Sequence, residues 1–347
     1  MNTYHIVGAG IAGASIAYHL LKLNQHVIIY DREDDGQATN ASAGIICPWT
    51  SQRRNKKWYR LVKEGAKYYP DFIKTLEAIT DQSTGFRQNG ALCLFKDEHI
   101  QALAFERIKS KQQDAPEMGQ VLKLSSEALL RYHPSLTTDF PAVFVEGGAQ
   151  VDGASLLSAL KHAINKLGGQ WVHDSVDPHT LDGHVIYTAG AWSHEYASHP
   201  AVRHQRAELL EVALAEDLQA SVSPVVMGLG PMYIVPTERD HYMIGTTHED
   251  TTSFDIDASE DARDYLFTQV KRYFKDTTLT KGRSSIGLRP LTDQNLPYIG
   301  PSGDVFIVNG LGSSGLTAAP VIGREVAKYI TGQQTVLDLT DYHSTPS

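Results

Sequence analysis

Cysteine is scarce in this chain, since its 347 residues include only Cys47 and Cys93. Two cysteines cannot build a disulfide framework or a four-cysteine zinc site. A low cysteine content is typical of proteins kept in a reducing compartment. We therefore expect a cytoplasmic protein.

Basic residues are outnumbered, because 31 Lys and Arg face 40 Asp and Glu and give a formal net charge of −9. An acidic surface is poorly suited to following nucleic-acid phosphates, so we expect no stable nucleic-acid partner. The one basic cluster is Arg53, Arg54, Lys56 and Lys57. We interpret it as a solvated loop; the alternatives are steering of an anionic substrate or contact with acidic lipid or RNA.

Long apolar runs are missing. The stretch from Ile6 to Leu21 is the most apolar, but no Lys or Arg precedes it, three glycines interrupt it and His19 lies inside it. These features argue against a signal peptide. No other stretch approaches the roughly 18 apolar residues of a membrane-spanning helix, so we predict no integral membrane segment.

Metal-ligand spacing is missing as well. His194, Glu195 and His199 resemble a zinc-protease motif, but the two histidines are five residues apart. On a helix this spacing turns the side chains about 140° from each other. We predict no metal site.

What is present is a globular composition, with 41% hydrophobic and 20% charged residues, and enough length for two domains. The chain opens with an apolar strand at residues 4–7, a glycine-rich turn, a helical pattern at 14–23 and a β-rich run at 26–30 that ends in Asp31. This order predicts a β-α-β unit.

The turn has the sequence Gly8-Ala9-Gly10-Ile11-Ala12-Gly13, and Asp31 follows 18 residues after Gly13. In a dinucleotide site Gly8 permits the tight turn, Gly10 lets the backbone approach a pyrophosphate, and Gly13 lets helix and strand pack. Asp31 would accept hydrogen bonds from the adenosine ribose, which disfavours NADP. The alternative is a plain glycine turn with a solvated Asp31. A second glycine loop at residues 310–315, after an apolar strand at 305–309, favours FAD over NAD.

Elsewhere the patterns predict a helix at 56–79, a hairpin at 86–95 around Asn89-Gly90, a helix at 154–167, strands and turns over 207–247, and a final helix at 318–330. Dinucleotide-type pieces thus occur at the start, middle and end. We expect an α/β (α+β) protein with interleaved domains: a Rossmann-like FAD-binding domain from 1–60, 140–203 and 282–347, and a substrate-binding domain on a mostly antiparallel sheet from 61–139 and 204–281.

Five separated segments together resemble the D-amino-acid oxidase/glycine oxidase family of FAD-dependent oxidoreductases. They are GAGIAG with Asp31-Arg32; Thr39 to Ile45; Gly148 to Asp152 with Tyr187 to Ser193; Tyr233 to Pro236 with Ile244 to Thr247; and Gly287 to Pro290 with Leu296 to Gly300 and Asn309 to Thr317. Their order along nearly the whole chain is highly specific. The loop Leu311 to Leu316 is also similar to that of the oxidase domain in bifunctional tRNA-modifying enzymes.

The resemblance implies FAD as the cofactor. Relatives that tether the flavin do so through a Cys just after the segment matching Gly287 to Pro290; Leu291 and Thr292 stand there, so noncovalent FAD is expected. The expected FAD-binding residues are Gly8, Gly10, Ile11, Ala12, Gly13, Asp31, Arg32, Thr39, Asn40, Ser42, Ala43, Gly44, Ile45, Val176, Ala189, Gly190, Trp192, Arg289, Gly310, Gly312, Ser313, Ser314, Gly315, Leu316 and Thr317.

Three residues are candidates for the catalytic site. The planar guanidinium of Arg289 suits a carboxylate bidentately, and the family's carboxylate-binding Arg occupies the matching place. Tyr233 matches a substrate-side tyrosine, and His248 falls where glycine oxidases have an apolar residue. The alternatives are an Arg289 paired with Asp293 at the surface, a Tyr233 that only packs in a sheet, and a His248 in a solvated loop.

The resemblance implies oxidation of the Cα–N bond of a small amino acid or N-substituted glycine, with oxygen or another acceptor taking the electrons. Two alternatives stay open. One is an oxidase acting on a carboxymethylaminomethyl-modified nucleoside in tRNA. The other is a noncatalytic flavin subunit of a larger dehydrogenase, which would lack a carboxylate-binding Arg.

Overall fold

The computed structural model describes residues 2–197, 200–215, 222–237, 241–275 and 278–343. The strands are β1 (Thr3–Val7), β2 (His26–Tyr30), β3 (Ile45–Ile46), β4 (Ala91–Leu94), β5 (Val121–Leu124), β6 (Ala142–Val145), β7 (Ala149–Gln150), β8 (Gln170–Val172), β9 (His184–Tyr187), β10 (Arg203–Leu214), β11 (Val225–Met227), β12 (Tyr233–Pro236), β13 (His241–Gly245), β14 (Glu249–Thr251), β15 (Leu279–Leu291), β16 (Tyr298–Ser302) and β17 (Val305–Asn309). The helices are α1 (Ile11–Lys22), α2 (Lys56–Thr80), α3 (Glu98–Lys109), α4 (Ser126–Leu129), α5 (Gly153–Lys166), α6 (Glu260–Val270) and α7 (Gly315–Ile330).

The predicted β-α-β unit forms the centre of a six-stranded sheet. Its strand order is β16-β17-β9-β1-β2-β8, and β1 pairs in parallel with both β2 and β9. All its pairings are parallel except that of β16 with β17. Helices α1, α5 and α7 share one hydrophobic core with β1 and β2. The Rossmann-like part of the expected fold class is confirmed.

Close contact between α1 and α7 depends on one glycine. A Cβ at Gly323 of α7 would lie 2.6 Å from the backbone carbon of Ser15 on α1. Eleven consecutive residues of α1, from Ile11 to Leu21, are buried. The helix that follows the glycine turn is therefore enclosed on nearly all sides, which holds its first turn in place.

A second sheet contains nine strands and is mostly antiparallel, also as expected. Eight of them run in the order β14-β10-β13-β12-β11-β4-β6-β5, and the long strand β15 pairs with β10. Only the pairing of β11 with β4 is parallel. Buried side chains of this sheet and of α6 form a separate hydrophobic core. Strands β3 and β7 form a separate two-stranded antiparallel sheet.

The predicted hairpin at 86–95 is wrong. Arg87 bridges to Gln150, whereas β4 pairs with β6 and β11, which are distant in sequence. Gly90 has φ +90°, and a Cβ there would lie 2.2 Å from the ring of Phe144. This glycine therefore serves close packing against β6 and not a two-residue hairpin turn.

The proposed division into domains remains a prediction, but the packing favours later boundaries. Helix α2 shares the core of α1, α5 and α7, and its residues Leu61, Tyr69 and Phe72 are buried there. Strand β6 pairs with β4 and β5 in the nine-stranded sheet. We infer that residues 61–80 belong with the FAD-binding part and 142–145 with the other sheet.

Candidate active site

A cavity of about 450 Å³ lies between the two sheets. Val7 and Tyr187 of the six-stranded sheet line it on one side, and Leu209, Tyr233 and Leu288 of the nine-stranded sheet on the other. The carboxyl ends of β1 and β9 therefore open into it. Both the turn after β1 and the turn after β9 contribute to its wall.

The glycine turn after β1 has no room for a side chain at Gly8 or at Gly13. Gly8 has φ +98°, and a Cβ there would lie 2.6 Å from the carbonyl oxygen of Thr188. A Cβ at Gly13 would lie 1.9 Å from the carbonyl oxygen of Gly8. These contacts fit the two roles that the spacing predicts, a tight turn and close packing of helix on strand.

The first turn of α1 faces the cavity through Gly10, Ile11 and Ala12. Gly10 is the N-cap and provides no side-chain hydrogen bond, and the first turn carries no acidic residue. The backbone N–H of Ile11 donates to the hydroxyl of Thr39 at 3.1 Å. A helix start of this kind offers free N–H groups and partial positive charge to a phosphate.

Asp31 lies at the end of β2, buried and in the cavity wall. Its carboxylate accepts hydrogen bonds from the backbone N–H groups of Ala9 and Glu33 and, at 3.1 Å, from the amide of Gln37. The carboxylate is thereby fixed beside the glycine turn. This placement is what ribose binding requires, and the solvated alternative is not what the structure shows.

Arg32 also lines the cavity, but acids hold its guanidinium. It forms ion pairs with Asp34 at 2.6 Å and Glu195 at 2.9 Å. Hydrogen bonding to Glu195 and Asp34 raises the pKa of Arg32. Arg32 therefore joins the loop after β2 to the turn after β9 and presents no free charge.

The segments at 39–45 and 189–192 complete this part of the wall, together with Val176. The hydroxyl of Ser42 donates to the carbonyl oxygen of Thr39 at 2.7 Å. Gly190 has φ +56°, and a Cβ there would have no other residue's atom within 4 Å. The ring of Trp192 packs 5.5 Å from that of Phe254. These segments leave open space beside the glycine turn.

The loop before α7 closes the far end through Gly312, Ser313, Gly315 and Leu316. Helix α7 begins at Gly315 without a side-chain cap and without an acid in its first turn. Its free N–H groups give this end of the cavity a partial positive charge. Such a helix start is suited to negative charge on a bound flavin ring.

Five of the expected FAD-binding residues lie outside the cavity wall, namely Gly13, Asn40, Gly310, Ser314 and Thr317. Ser314 accepts a hydrogen bond from the indole of Trp58 at 2.9 Å, and Thr317 donates to the carbonyl oxygen of Ile45 at 3.3 Å. Asn40 lines a second cavity beside Asp34 and Asp35. These five residues do not line the cavity, and all the other expected FAD-binding residues do.

The three candidate catalytic residues lie together in this cavity. Nη1 of Arg289 donates to Nδ1 of His248 at 3.0 Å. Burial lowers the pKa of Arg289, and burial followed by the charge of Arg289 lowers that of His248. Among the described residues Arg289 forms no ion pair, so it is not paired with Asp293. Its charge is available to an anion in the cavity.

Tyr233 begins β12 opposite Gly245 of β13. Burial raises the pKa of its phenol, so the hydroxyl stays protonated as a hydrogen-bond donor. A Cβ at Gly245 would lie 2.1 Å from the Tyr233 ring. The glycine thus allows the ring of Tyr233 to pack closely against β13 while Tyr233 lines the cavity.

Several residues of the wall had no signal in the sequence. They include Gln37, Leu209 and Pro231, whereas Thr246 and Asn309 lie in segments that resemble the family but were not named as site residues. Thr246 directly follows Gly245, and its position near Tyr233 was not recognisable without the register of β12 on β13. Gln37 supports Asp31 from a polar loop with no motif of its own.

Metal and membrane features are not found in the described residues. No group of three or more His, Cys, Asp or Glu side chains there is arranged to hold a metal ion, and His199 lies outside the described residues. No described helix has the length and apolar character that crossing a membrane requires.

The close glycine turn and the uncapped start of α1 fit the phosphates of a dinucleotide. The fixed carboxylate of Asp31 at the end of β2 fits its ribose. The comparison with known proteins agrees, because residues 4–329 match the family described as FAD dependent oxidoreductase. The chain belongs to this family. It is an FAD-dependent oxidoreductase, and the expected resemblance to the D-amino-acid oxidase/glycine oxidase family is confirmed.

Similar proteins cover the whole chain. The uncharacterized oxidoreductase YurR of Bacillus subtilis is 36% identical over 99% of this chain and 98% of its own. Glycine oxidase of Geobacillus kaustophilus is 25% identical over 98% and 96%. Among solved structures, iminodiacetate oxidase from Chelativorans sp. BNC1 superposes with a TM-score of 0.90, 30% identity and 98% coverage of both chains.

Proposed function

We propose that this protein oxidises the Cα–N bond of a small amino acid or N-substituted glycine, with noncovalently bound FAD. The observation that carries the proposal is Arg289, a partly buried guanidinium in the cavity wall with no acidic partner among the described residues. A planar guanidinium binds a carboxylate through two parallel hydrogen bonds. The names of two similar proteins, a glycine oxidase and an iminodiacetate oxidase, support a substrate of this class.

The two ends of the cavity would bind different molecules, FAD at one end and the substrate at the other. The turn after β1, Asp31, Thr39 and the loop before α7 would hold FAD, which supplies a two-electron acceptor for the Cα hydrogen when bound. Arg289 and the phenol of Tyr233 would hold the substrate carboxylate and so fix the position of Cα. Fixing the reacting atoms in this way is the main contribution that the chain can make to the rate.

The substrate's amine needs to be neutral when its Cα–H bond breaks. Partial burial and then the positive charge of Arg289 lower the pKa of His248, which favours its neutral imidazole. Its Nδ1 accepts from Arg289. The second ring nitrogen, Nε2, then carries the proton, so His248 would position Arg289 and does not act as a base in this state. The imine product hydrolyses to a 2-oxo acid and an amine.

Noncovalent attachment and a reducing environment are supported by the cysteines. Cys47 and Cys93 are free and buried, and neither lines the cavity. Burial raises the pKa of both thiols, which makes them unreactive. We propose on this basis that the flavin is not tethered through a cysteine and that the protein is cytoplasmic. Oxygen or another electron acceptor would reoxidise the flavin.

The test is anaerobic mixing of the yellow holoenzyme with glycine, sarcosine, iminodiacetate, D-alanine and D-proline while the flavin absorbance is followed. We expect at least one compound to bleach it. Arg289→Gln should raise the KM for that compound by about 10- to 100-fold, the range for losing a charge-assisted hydrogen bond. The matched control is Arg283→Gln, an exposed position on the same strand.

No bleaching by any compound would exclude the proposed substrate class. An unchanged KM in Arg289→Gln would show that Arg289 does not bind the substrate carboxylate. A modified tRNA nucleoside stays the alternative substrate, and it is tested together with the next proposal.

A further inference from the structure

A second arginine contacts a wall residue of the same cavity. Arg53 belongs to the basic cluster before α2, and its Nη2 donates to the hydroxyl of Ser313 at 3.4 Å. Its guanidinium also lies over the ring of Trp58, 4.8 Å from the ring centre. Because Ser313 is part of the cavity wall, these contacts hold the charge of Arg53 at the edge of the site.

The neighbouring contacts fix this arrangement. The indole of Trp58 donates to Ser314 at 2.9 Å, so the aromatic ring under Arg53 is attached to the loop before α7. Trp58 is buried and belongs to the first turn of α2, whose N-cap Asn55 accepts from its backbone N–H at 3.0 Å. Arg53 is an exposed residue whose guanidinium contacts the Trp58 ring and the loop before α7.

Lys57 and Arg53 of the basic cluster differ in whether an acidic side chain balances their charge. Lys57 pairs with Asp341 at 3.2 Å, so its charge is balanced. Among the described residues, neither Arg53 nor Arg289 forms an ion pair. Both arginines are associated with one cavity, because Arg289 lines it and Arg53 contacts its wall residue Ser313. Burial lowers the pKa of Arg53, and the positive charge of Arg289 lowers it further.

Two guanidinium groups at one cavity, neither of them paired with a carboxylate among the described residues, suit a ligand with two anionic groups. We propose that Arg53 binds a second carboxylate, and that the substrate is a small secondary amine or amino acid carrying two carboxylates. One would bind Arg289 and the other Arg53. This inference rests on the proposed function, because the first carboxylate is the one beside the reacting Cα.

The binding test uses pairs of compounds that cannot be oxidised at a C–N bond. Glutarate has a methylene where iminodiacetate has its amine, and butyrate stands in the same relation to sarcosine. Their dissociation constants for the holoenzyme are measured by calorimetry. We expect glutarate to bind at least about tenfold more tightly than butyrate, as one further charge-assisted contact implies.

Arg53→Gln should remove most of this preference and leave the dissociation constant of butyrate within about twofold, since an added contact to one group acts independently of the other. Arg54→Gln is the matched control, because it removes the same charge from the adjacent exposed position. In steady-state kinetics Arg53→Gln should raise the KM for iminodiacetate with little change for sarcosine. A parallel loss for both compounds would indicate damage to the loop and overturn the proposal.

The failures of the two proposals are distinguishable. If sarcosine is oxidised but glutarate is not preferred to butyrate, the second carboxylate site is overturned while the proposed function stands. If no compound reduces the flavin but the glutarate preference depends on Arg53, the site is supported and the reaction is not. If Arg53→Gln weakens the binding of unfractionated tRNA and leaves glutarate binding unchanged, Arg53 contacts a phosphate and the dicarboxylate proposal is overturned.

Discussion

Arg289 and His248 form a contact that decides which groups in the cavity carry charge. The guanidinium has no acceptor of its own, so its donation to Nδ1 requires the imidazole to be unprotonated there. Burial and the nearby positive charge both favour that neutral form. The substrate end of the cavity thus contains cations and neutral donors, which suits an anionic ligand.

This contact predicts that His248 positions Arg289. His248→Ala should raise the KM of a carboxylate substrate by about tenfold, with a smaller effect on kcat. His248→Asn should recover most of the loss, because its amide oxygen can take the place of Nδ1 as acceptor. The pKa of His248 lies below 6.5, so the ratio of kcat/KM between the wild type and His248→Asn should stay constant above that pH. A wild-type KM in the alanine variant would contradict this role.

At the scale of elements, the packing of α1, α2 and α7 holds the first turn of α1 at the cavity. His19 on α1 is buried in this packing; Nδ1 donates to the carbonyl oxygen of Ser15 at 2.7 Å, and Nε2 accepts from the hydroxyl of Tyr68 at 3.0 Å. Its ring also stacks on Phe72. The contact joins α1 to α2 through an unprotonated imidazole.

Burial lowers the pKa of His19 to about 3. Below pH 6.5 the imidazole of His19 binds a proton in the unfolded chain but not in the folded chain. The free energy of unfolding therefore falls as the pH drops below 6.5. Between pH 7 and pH 5 this single group should cost about 2 kcal/mol.

His19→Gln should therefore reduce the fall in thermal midpoint between pH 7 and pH 5, measured on the FAD-saturated protein. His99→Gln, an exposed histidine on α3, is the matched control and should change nothing. An equal fall in both variants and the wild type would show that other groups govern the acid response.

Local patterns were sufficient for the elements whose contacts are close in sequence. The strand, glycine turn, helix and strand of the first 31 residues fold as their spacing predicts, because β1, α1 and β2 pack on one another. Asn89-Gly90 shows where prediction from local patterns fails. A hairpin signal describes two residues, whereas β4 pairs with strands more than 45 residues away, and no local pattern reports such a partner.

At the scale of the whole molecule, contacts between distant parts of the sequence also limited how much of the site could be predicted. Arg289 and Tyr233 were recognisable in their motifs, and the cavity contains both. The contact of Arg53 with Ser313 joins positions 260 residues apart. Residues of this kind depend on how the two sheets and the loop before α7 meet, and this arrangement is set by many distant contacts together.

The two sheets meet around the cavity, so a ligand that contacts both should stabilise the whole chain. Asp31 lies beside one end of the wall and the loop before α7 forms the other. FAD added to cofactor-depleted protein should raise the thermal midpoint in proportion to its binding free energy, about 2.7 kcal/mol at a hundred times the dissociation constant. AMP or riboflavin at the same concentration reaches only one end and should give a smaller rise. If FAD stabilises the protein no more than AMP does, the flavin does not occupy the end formed by the loop before α7.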